Sequence, residues 1–273
     1  MKHYLKPQTP TKNEKETCGG TGHLPSSSRL FTCFVTAFTL CVLLANLYCA
    51  QAEEVADAKI YLKDISALLN RQWPANRTVN IVCHGHSVPA GYFKAPVVDT
   101  FNAYPHLLHK ELKNRFPYAV INVIVTAIGG ENSEGGAKRF GKDVLAFNPD
   151  IVTIDYALND RGIGLARAEA SWKLMITNAV QKGIKVILLT PTPDLTAKLE
   201  NASDPLNKHA EQIRKLAREY GVGLVDNLAR FPDYVRAGGK LEDLMAQSNH
   251  PNRKGHDLVV VELMKWFPPD DKP

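Results

Sequence analysis

The segment IVCHGHSVPAG, Ile81 to Gly91, places two imidazoles and a hydroxyl within four residues: His84, His86 and Ser87. Three readings are open to it. A serine hydroxyl is a weak nucleophile until an imidazole takes its proton during attack. The tetrahedral intermediate then needs preorganised donors at its oxyanion, each worth roughly 3–4 kcal/mol. The His84/His86 pair is also a spacing used by metal-dependent hydrolases, because imidazole suits zinc and related metals. His250, His256, Asp155 or Asp160 would have to complete such a site. The third reading is a polar turn in which Ser87 only caps a helix. Residues of the acyl-transfer kind recur downstream: Gly129 and Gly130 in TAIGGENSEGG, Asn159 in DYALNDR, and His250 before Pro251 in QSNHPNRKGH. Each has a plainer role available, as a tight turn, a turn amide or a surface histidine.

The elements that must position these residues can be read from the apolar pattern. Val79–Cys83, Ala119–Val125, Ile151–Asp155, Ile184–Leu189 and Val222–Val225 are nearly continuous apolar runs. Such runs are expected of strands buried on both faces of a parallel sheet. Between them Thr100–Arg115, Gly135–Phe147, Ala166–Lys182 and Leu206–Tyr220 carry apolar residues three and four apart, the spacing of amphipathic helices. Glu53 to Arg77 reads as a helix and a Pro-containing connection, and Gly255–Trp266 as a last helix. The alternation predicts one three-layer α/β/α domain with a mostly parallel five-stranded sheet and right-handed crossovers. Ligands of such sheets lie beyond the carboxyl ends of the strands. That edge collects Ser87, the paired glycines, Asn159 and, past the fifth strand, His250, which are the parts of an acyl-transfer site.

Ser87 after the first strand, Gly130 after the second, Asn159 in an x-x-Asn-Asp turn after the third, and His250-Pro251 near the C-terminus resemble the SGNH (GDSL-type) esterase superfamily. The resemblance covers essentially all of the chain after residue 52. It implies a flavodoxin-like fold and a serine acylhydrolase that needs no cofactor and no metal. It further implies Ser87 as nucleophile and His250 as general base, with the oxyanion held by Ser87 N–H, Gly130 N–H and the Asn159 side chain. Three positions depart from the family's pattern: His86 stands where Asp usually precedes the serine, Gln247 where an Asp usually precedes the catalytic histidine, and Ala157 where Gly is common. An imidazole deprived of its carboxylate can lose about four orders of magnitude in turnover. Gln247 could orient the His250 ring through its amide oxygen, Asp243 could fold back to replace the acid, or Ser87 and His250 could act as a dyad. His86 is expected to line the site near Asn159.

The whole chain sets outer bounds. Its net charge of +5 falls to +2 once residues 1–52 are set aside, and no Lys/Arg stripe suggests nucleic acid. Leu30 to Leu47 is uncharged and Ala50-Gln51-Ala52 follows it. That pattern predicts a secretory signal over 1–52, cleaved to leave the esterase domain at 53–273, with an uncleaved membrane anchor as the alternative. The protein is then exported, to a periplasmic or extracellular site. Of the five cysteines only Cys83 lies beyond residue 52, where it is expected as buried packing. Tyr92 and Phe93 would contact substrate or cover the core. Two sequons, Asn76-Arg77-Thr78 and Asn201-Ala202-Ser203, matter only in a eukaryotic secretory pathway. The expected substrate is a small-molecule or polysaccharide ester with a short acyl chain, acetyl on carbohydrate being typical of the resemblance. The rivals are a metal-dependent hydrolase on His84 and His86, and a non-catalytic carbohydrate-binding protein on the same fold.

Overall fold

The structure, a computed structural model, describes residues 54–269. The expected signal segment, its apolar run and the cysteines before Cys83 lie outside the described residues. Among those described, no helix is long and apolar enough to cross a membrane.

The chain runs α1 (Lys63–Leu69), β1 (Thr78–Gly85), α2 (Ser87–Ala90), α3 (Tyr104–Arg115), β2 (Val120–Val125) and α4 (Ser133–Asp143). It continues β3 (Ile151–Asp155), α5 (Ala157–Asp160), α6 (Leu165–Val180), β4 (Lys185–Leu189), α7 (Pro205–Tyr220) and β5 (Gly223–Val225). It closes with α8 (Asn227–Arg236), a short antiparallel pair β6 (Met245–Gln247) and β7 (His250–Pro251), and α9 (Arg253–Met264). The five main strands pair in parallel in the order β2-β1-β3-β4-β5, which is the flavodoxin-like order expected.

Alternation along the strands divides their side chains between two cores. Val79, Ile81, Cys83, Ile187 and Leu189 join a cluster with Leu108 of α3, Phe231 of α8 and Val259 of α9. Val82, Val152, Ile154, Val186 and Leu188 join another with Phe140 of α4 and Trp172 of α6. This two-sided burial is why β1, β3 and β4 read as nearly continuous apolar runs. The edge strand β2 is the exception: Val120 and Asn122 are exposed. Cys83 is a free, buried thiol, pushed up to about 12 by burial, and serves as packing.

Several elements differ from the sequence expectation. The N-terminal helix is confined to α1, with turns before it. The helix α8 was not expected because Pro232 lies inside it, and a proline reads as a helix stop. The β6–β7 pair adds strands that the apolar pattern does not mark, being too short to carry a period. At the end of that hairpin the Asn252 side chain accepts hydrogen bonds from Lys254 N and Gly255 N, so α9 starts two residues ahead of the expected Gly255.

Candidate active site

In the order β2-β1-β3 the chain switches direction on either side of β1, and ligand crevices form at such switch points. Gly85, the last residue of β1, is paired with Asp155 of β3. A side chain at Gly85 would put its Cβ 2.5 Å from Asp155 O, so only glycine lets the two strand ends close up. The chain then turns at His86, whose N–H donates to Asp155 O at 3.2 Å, and Ser87 opens α2. Ser87 and His250 are both buried.

The Ser87 Oγ lies 2.9 Å from His250 Nε2, and His250 Nδ1 lies 2.9 Å from the backbone oxygen of Phe93. A carbonyl oxygen can only accept, so Nδ1 carries the ring proton and the Nε2 lone pair faces the serine hydroxyl. Burial lowers the His250 pKa from its ordinary value, the Phe93 carbonyl acts against this, and nearby His86 adds to it. The result is a neutral imidazole poised to take a proton from a buried hydroxyl.

The carbonyl of Phe93 corrects the sequence expectation for Gln247. The amide of Gln247 does not reach the His250 ring: its Oε1 accepts from Ala95 N at 3.0 Å and its Nε2 donates to Asn249 Oδ1 at 3.0 Å. It ties the loop carrying Phe93 to the hairpin carrying His250, and so acts on the site from outside. The Asp243 carboxylate accepts from Lys240 N instead of replacing the acid. Leu195 N donates to Ser248 O at 2.7 Å, so the segment that follows β4 braces the same hairpin. Tyr92 packs toward His250, ring centroids 6.0 Å apart, whereas Phe93 stacks at 5.2 Å on the buried ring of His256. Tyr92 therefore borders the site and Phe93 belongs to its support.

On the other side lie Gly130 and Asn159. Gly130 has φ +76°, a conformation that favours glycine, and nothing stands within 4 Å of where its Cβ would be. Among the described residues neither Ser87 N–H nor Gly130 N–H has a protein acceptor. Asn159 Nδ2 donates one hydrogen to Glu131 O at 2.9 Å, leaving its second free. The Gly130 loop is pinned by a network that sequence reading missed. Glu131 Oε2 accepts from Arg139 Nη2 at 2.6 Å and from Tyr156 OH at 2.8 Å. Asp160 accepts from Ser133 N and from Trp172 Nε1, each at 2.7 Å. No local spacing signals these contacts, which join the segments after β2 and β3 to each other and to α6.

The two histidines of the opening segment have separate partners. His84 Nδ1 contacts Thr126 Oγ1 at 2.8 Å, and its Nε2 lies 3.2 Å from Gly136 O and 3.1 Å from Tyr156 OH. Burial and the Arg139 guanidinium push its pKa down to about 4. His86 instead faces Ser87 Oγ through Nδ1, at 3.3 Å, and Asp155 Oδ1 through Nε2, at 3.3 Å. The rings do not converge on a common point as metal ligands would. No group of three or more His, Cys, Asp or Glu among the described residues is arranged to hold a metal.

A parallel sheet of this order with a serine–imidazole pair at its switch point is the architecture of the SGNH-type serine ester hydrolases. Residues 83–258 match the family model of the GDSL-like lipase/acylhydrolases, and the chain belongs to that family. It is 28% identical over 192 residues to esterase TesA of Pseudomonas aeruginosa, spanning 68% of this chain and 86% of that protein. Among solved structures it resembles Axe2, an acetylxylan esterase from Geobacillus stearothermophilus, with a TM-score of 0.60 and 20% identity. That match covers 69% of this chain and 94% of Axe2. A two-domain esterase active on acetylated mannans aligns with a TM-score of 0.61 and 21% identity, over 76% of this chain and 52% of that protein. The chain therefore spans about half the length of the two-domain enzyme.

Proposed function

We propose that the protein is an exported esterase that removes short acyl groups, acetyl on carbohydrate above all, through an acyl-enzyme on Ser87. Ser87 Oγ attacks the ester carbonyl while His250 Nε2 takes its proton. The N–H groups of Ser87 and Gly130 and the free hydrogen of Asn159 hold the oxyanion. His250 returns the proton to the leaving alcohol, then takes one from the water that releases the acid. No cofactor enters these steps. The observation that carries the proposal is the 2.9 Å contact between Ser87 Oγ and His250 Nε2. The carbohydrate part leans on the neighbours whose names specify acetylated xylan or mannan, and export rests on the sequence of residues 1–52.

Intact-mass analysis after treatment with a fluorophosphonate tests the nucleophile. The wild type is expected to gain one adduct and Ser87→Ala none; an unlabelled wild type overturns the proposal. Hydrolysis of p-nitrophenyl acetate against the octanoate, and acetate release from acetylated xylan and mannan, tests the acyl and substrate parts. Preference for the octanoate with no acetate released would reject them. A secreted form beginning at Glu53 would support export, and a form retaining residues 1–52 inside the cell would oppose it.

A further inference from the structure

The proposed reaction makes His250 an imidazolium, yet its Nδ1–H meets only the Phe93 carbonyl. A peptide dipole fixes the tautomer but does not neutralise the charge as a carboxylate would. The nearest carboxylate–imidazole couple lies under the nucleophile instead. His86 Nδ1 is 3.3 Å from Ser87 Oγ and accepts from Val88 N at 3.3 Å. It therefore carries no proton, and the ring proton sits on Nε2, facing Asp155 Oδ1 at 3.3 Å.

We propose that Asp155, acting through His86, supplies from beneath Ser87 the negative charge that is missing behind His250. The inference rests on the reading of Ser87 and His250 given above. Asp155 is thereby a positioning residue, and His86 a catalytic one because it touches the reacting oxygen.

Three observations support this. The side chains of His86 and Asp155 are each only 1% exposed, and neither Asp155 oxygen nor His86 Nε2 has a well-aligned hydrogen-bond partner. A buried carboxylate whose other polar neighbour is only the Tyr104 hydroxyl is costly to keep in the fold, so the arrangement is not explained by stability. Capping α2 needs only an acceptor at position 86, which a short Asp or Asn supplies; an imidazole backed by a carboxylate goes beyond that need. Among the surrounding groups, Asp155 is the carboxylate that faces His86 directly. Tyr104 from α3 and Cys83 from β1 are held neutral by burial, as is His256 of α9, pushed down to about 3. Asp160 of α5 has its oxygens engaged by Ser133 N and Trp172 Nε1. Around His250 the remaining titratable ring is Tyr92.

The test uses p-nitrophenyl acetate hydrolysis and the rate of fluorophosphonate labelling as functions of pH. Asp155→Asn, if folded, is expected to lower kcat/KM roughly 10- to 100-fold, less than the roughly 100- to 1000-fold loss of a donor that touches the oxyanion, because Asp155 acts through His86, with the loss in kcat rather than KM. Its acid limb should move to lower pH by about one pH unit, because an imidazolium near one less negative charge is harder to form. The double variant His86→Asp/Asp155→Asn restores one carboxylate next to the serine and should recover rate and acid limb in part. Unchanged kcat/KM and an unmoved limb in Asp155→Asn would overturn the inference. So would a rate loss with no limb shift and no recovery in the double variant, which would mark a structural role only. Should Asp155→Asn not fold, His86→Asn decides, because it keeps the cap and severs the couple: a wild-type rate there would overturn the inference, and a similar loss would sustain it. Failure of the underlying reading is separate, since the wild type would then take up no fluorophosphonate at all.

Discussion

The imidazole of His250 is held by a peptide carbonyl and surrounded by protein, and both facts bear on the pH at which it can act. Burial opposes its charged form, and that outweighs the Phe93 carbonyl, which favours it. Its pKa therefore lies below the ordinary value of about 6.5. In the proposed reaction only the neutral ring is active, so kcat/KM should rise with pH through an apparent pKa below 6.5 and be level near pH 7. A pH–rate profile with its acid limb at or above 7 would contradict this. The placement of Ser87, Gly130, Asn159 and His250 beyond the strand ends was legible in the sequence because each follows a strand or sits in a turn that its neighbours mark. The partner of His250 Nδ1 was not, because a backbone oxygen has no residue type. The His86–Asp155 couple was half legible. Both residues stand at strand ends, but only the β1–β3 register, which pairs Gly85 with Asp155, brings them together.

Between strands, the loops depend on one another through buried charges, and Asp160 carries the clearest case. Its carboxylate joins the end of α5 to the start of α4 through Ser133 N and to α6 through Trp172 Nε1. Asp160→Ala would leave both donors buried without partners, at about 1–3 kcal/mol each. A fall in Tm of several degrees is expected, with a loss of kcat as the Gly130 loop loosens. Thermal melts of the variant matching the wild type would refute this linkage. Elements were legible where periods run long. The α7 face of Leu206, Ala210, Ile213, Leu216 and Ala217 repeats over 16 residues, and β1, β3 and β4 are apolar along most of their length. Legibility failed where an element is short or internally contradicted. The two residues of β7 carry no period, and Pro232 hides α8. The hairpin was nonetheless the element that delivers His250.

At the scale of the whole fold, three imidazoles outside the Ser87–His250 pair stand out among the described residues as held neutral by burial: His84, His209 and His256. Burial pushes His84 and His209 down to about 4 and His256 to about 3, with the Arg161 guanidinium adding to the effect at His209. In the unfolded chain each returns to about 6.5. Between pH 6.5 and 4 the unfolded state therefore binds more protons than the folded one. Stability rises with pH across that window and is lost as pH falls. Carboxylates titrate mostly below pH 5, so the interval from pH 7 to 5 isolates the histidines. Each should account for roughly 1–2 kcal/mol there. Urea denaturation at pH 7 and pH 5, at one ionic strength, should show a lower midpoint at pH 5, with unfolding taking up about three protons at these rings and a further share at His250, whose pKa is also lowered. His209→Leu removes one of those protons without touching Ser87 or His250, and should flatten the pH dependence by about a quarter to a third. An equal midpoint at both pH values would mean that the buried imidazoles are already charged in the fold, and would undercut the neutral base assigned to His250.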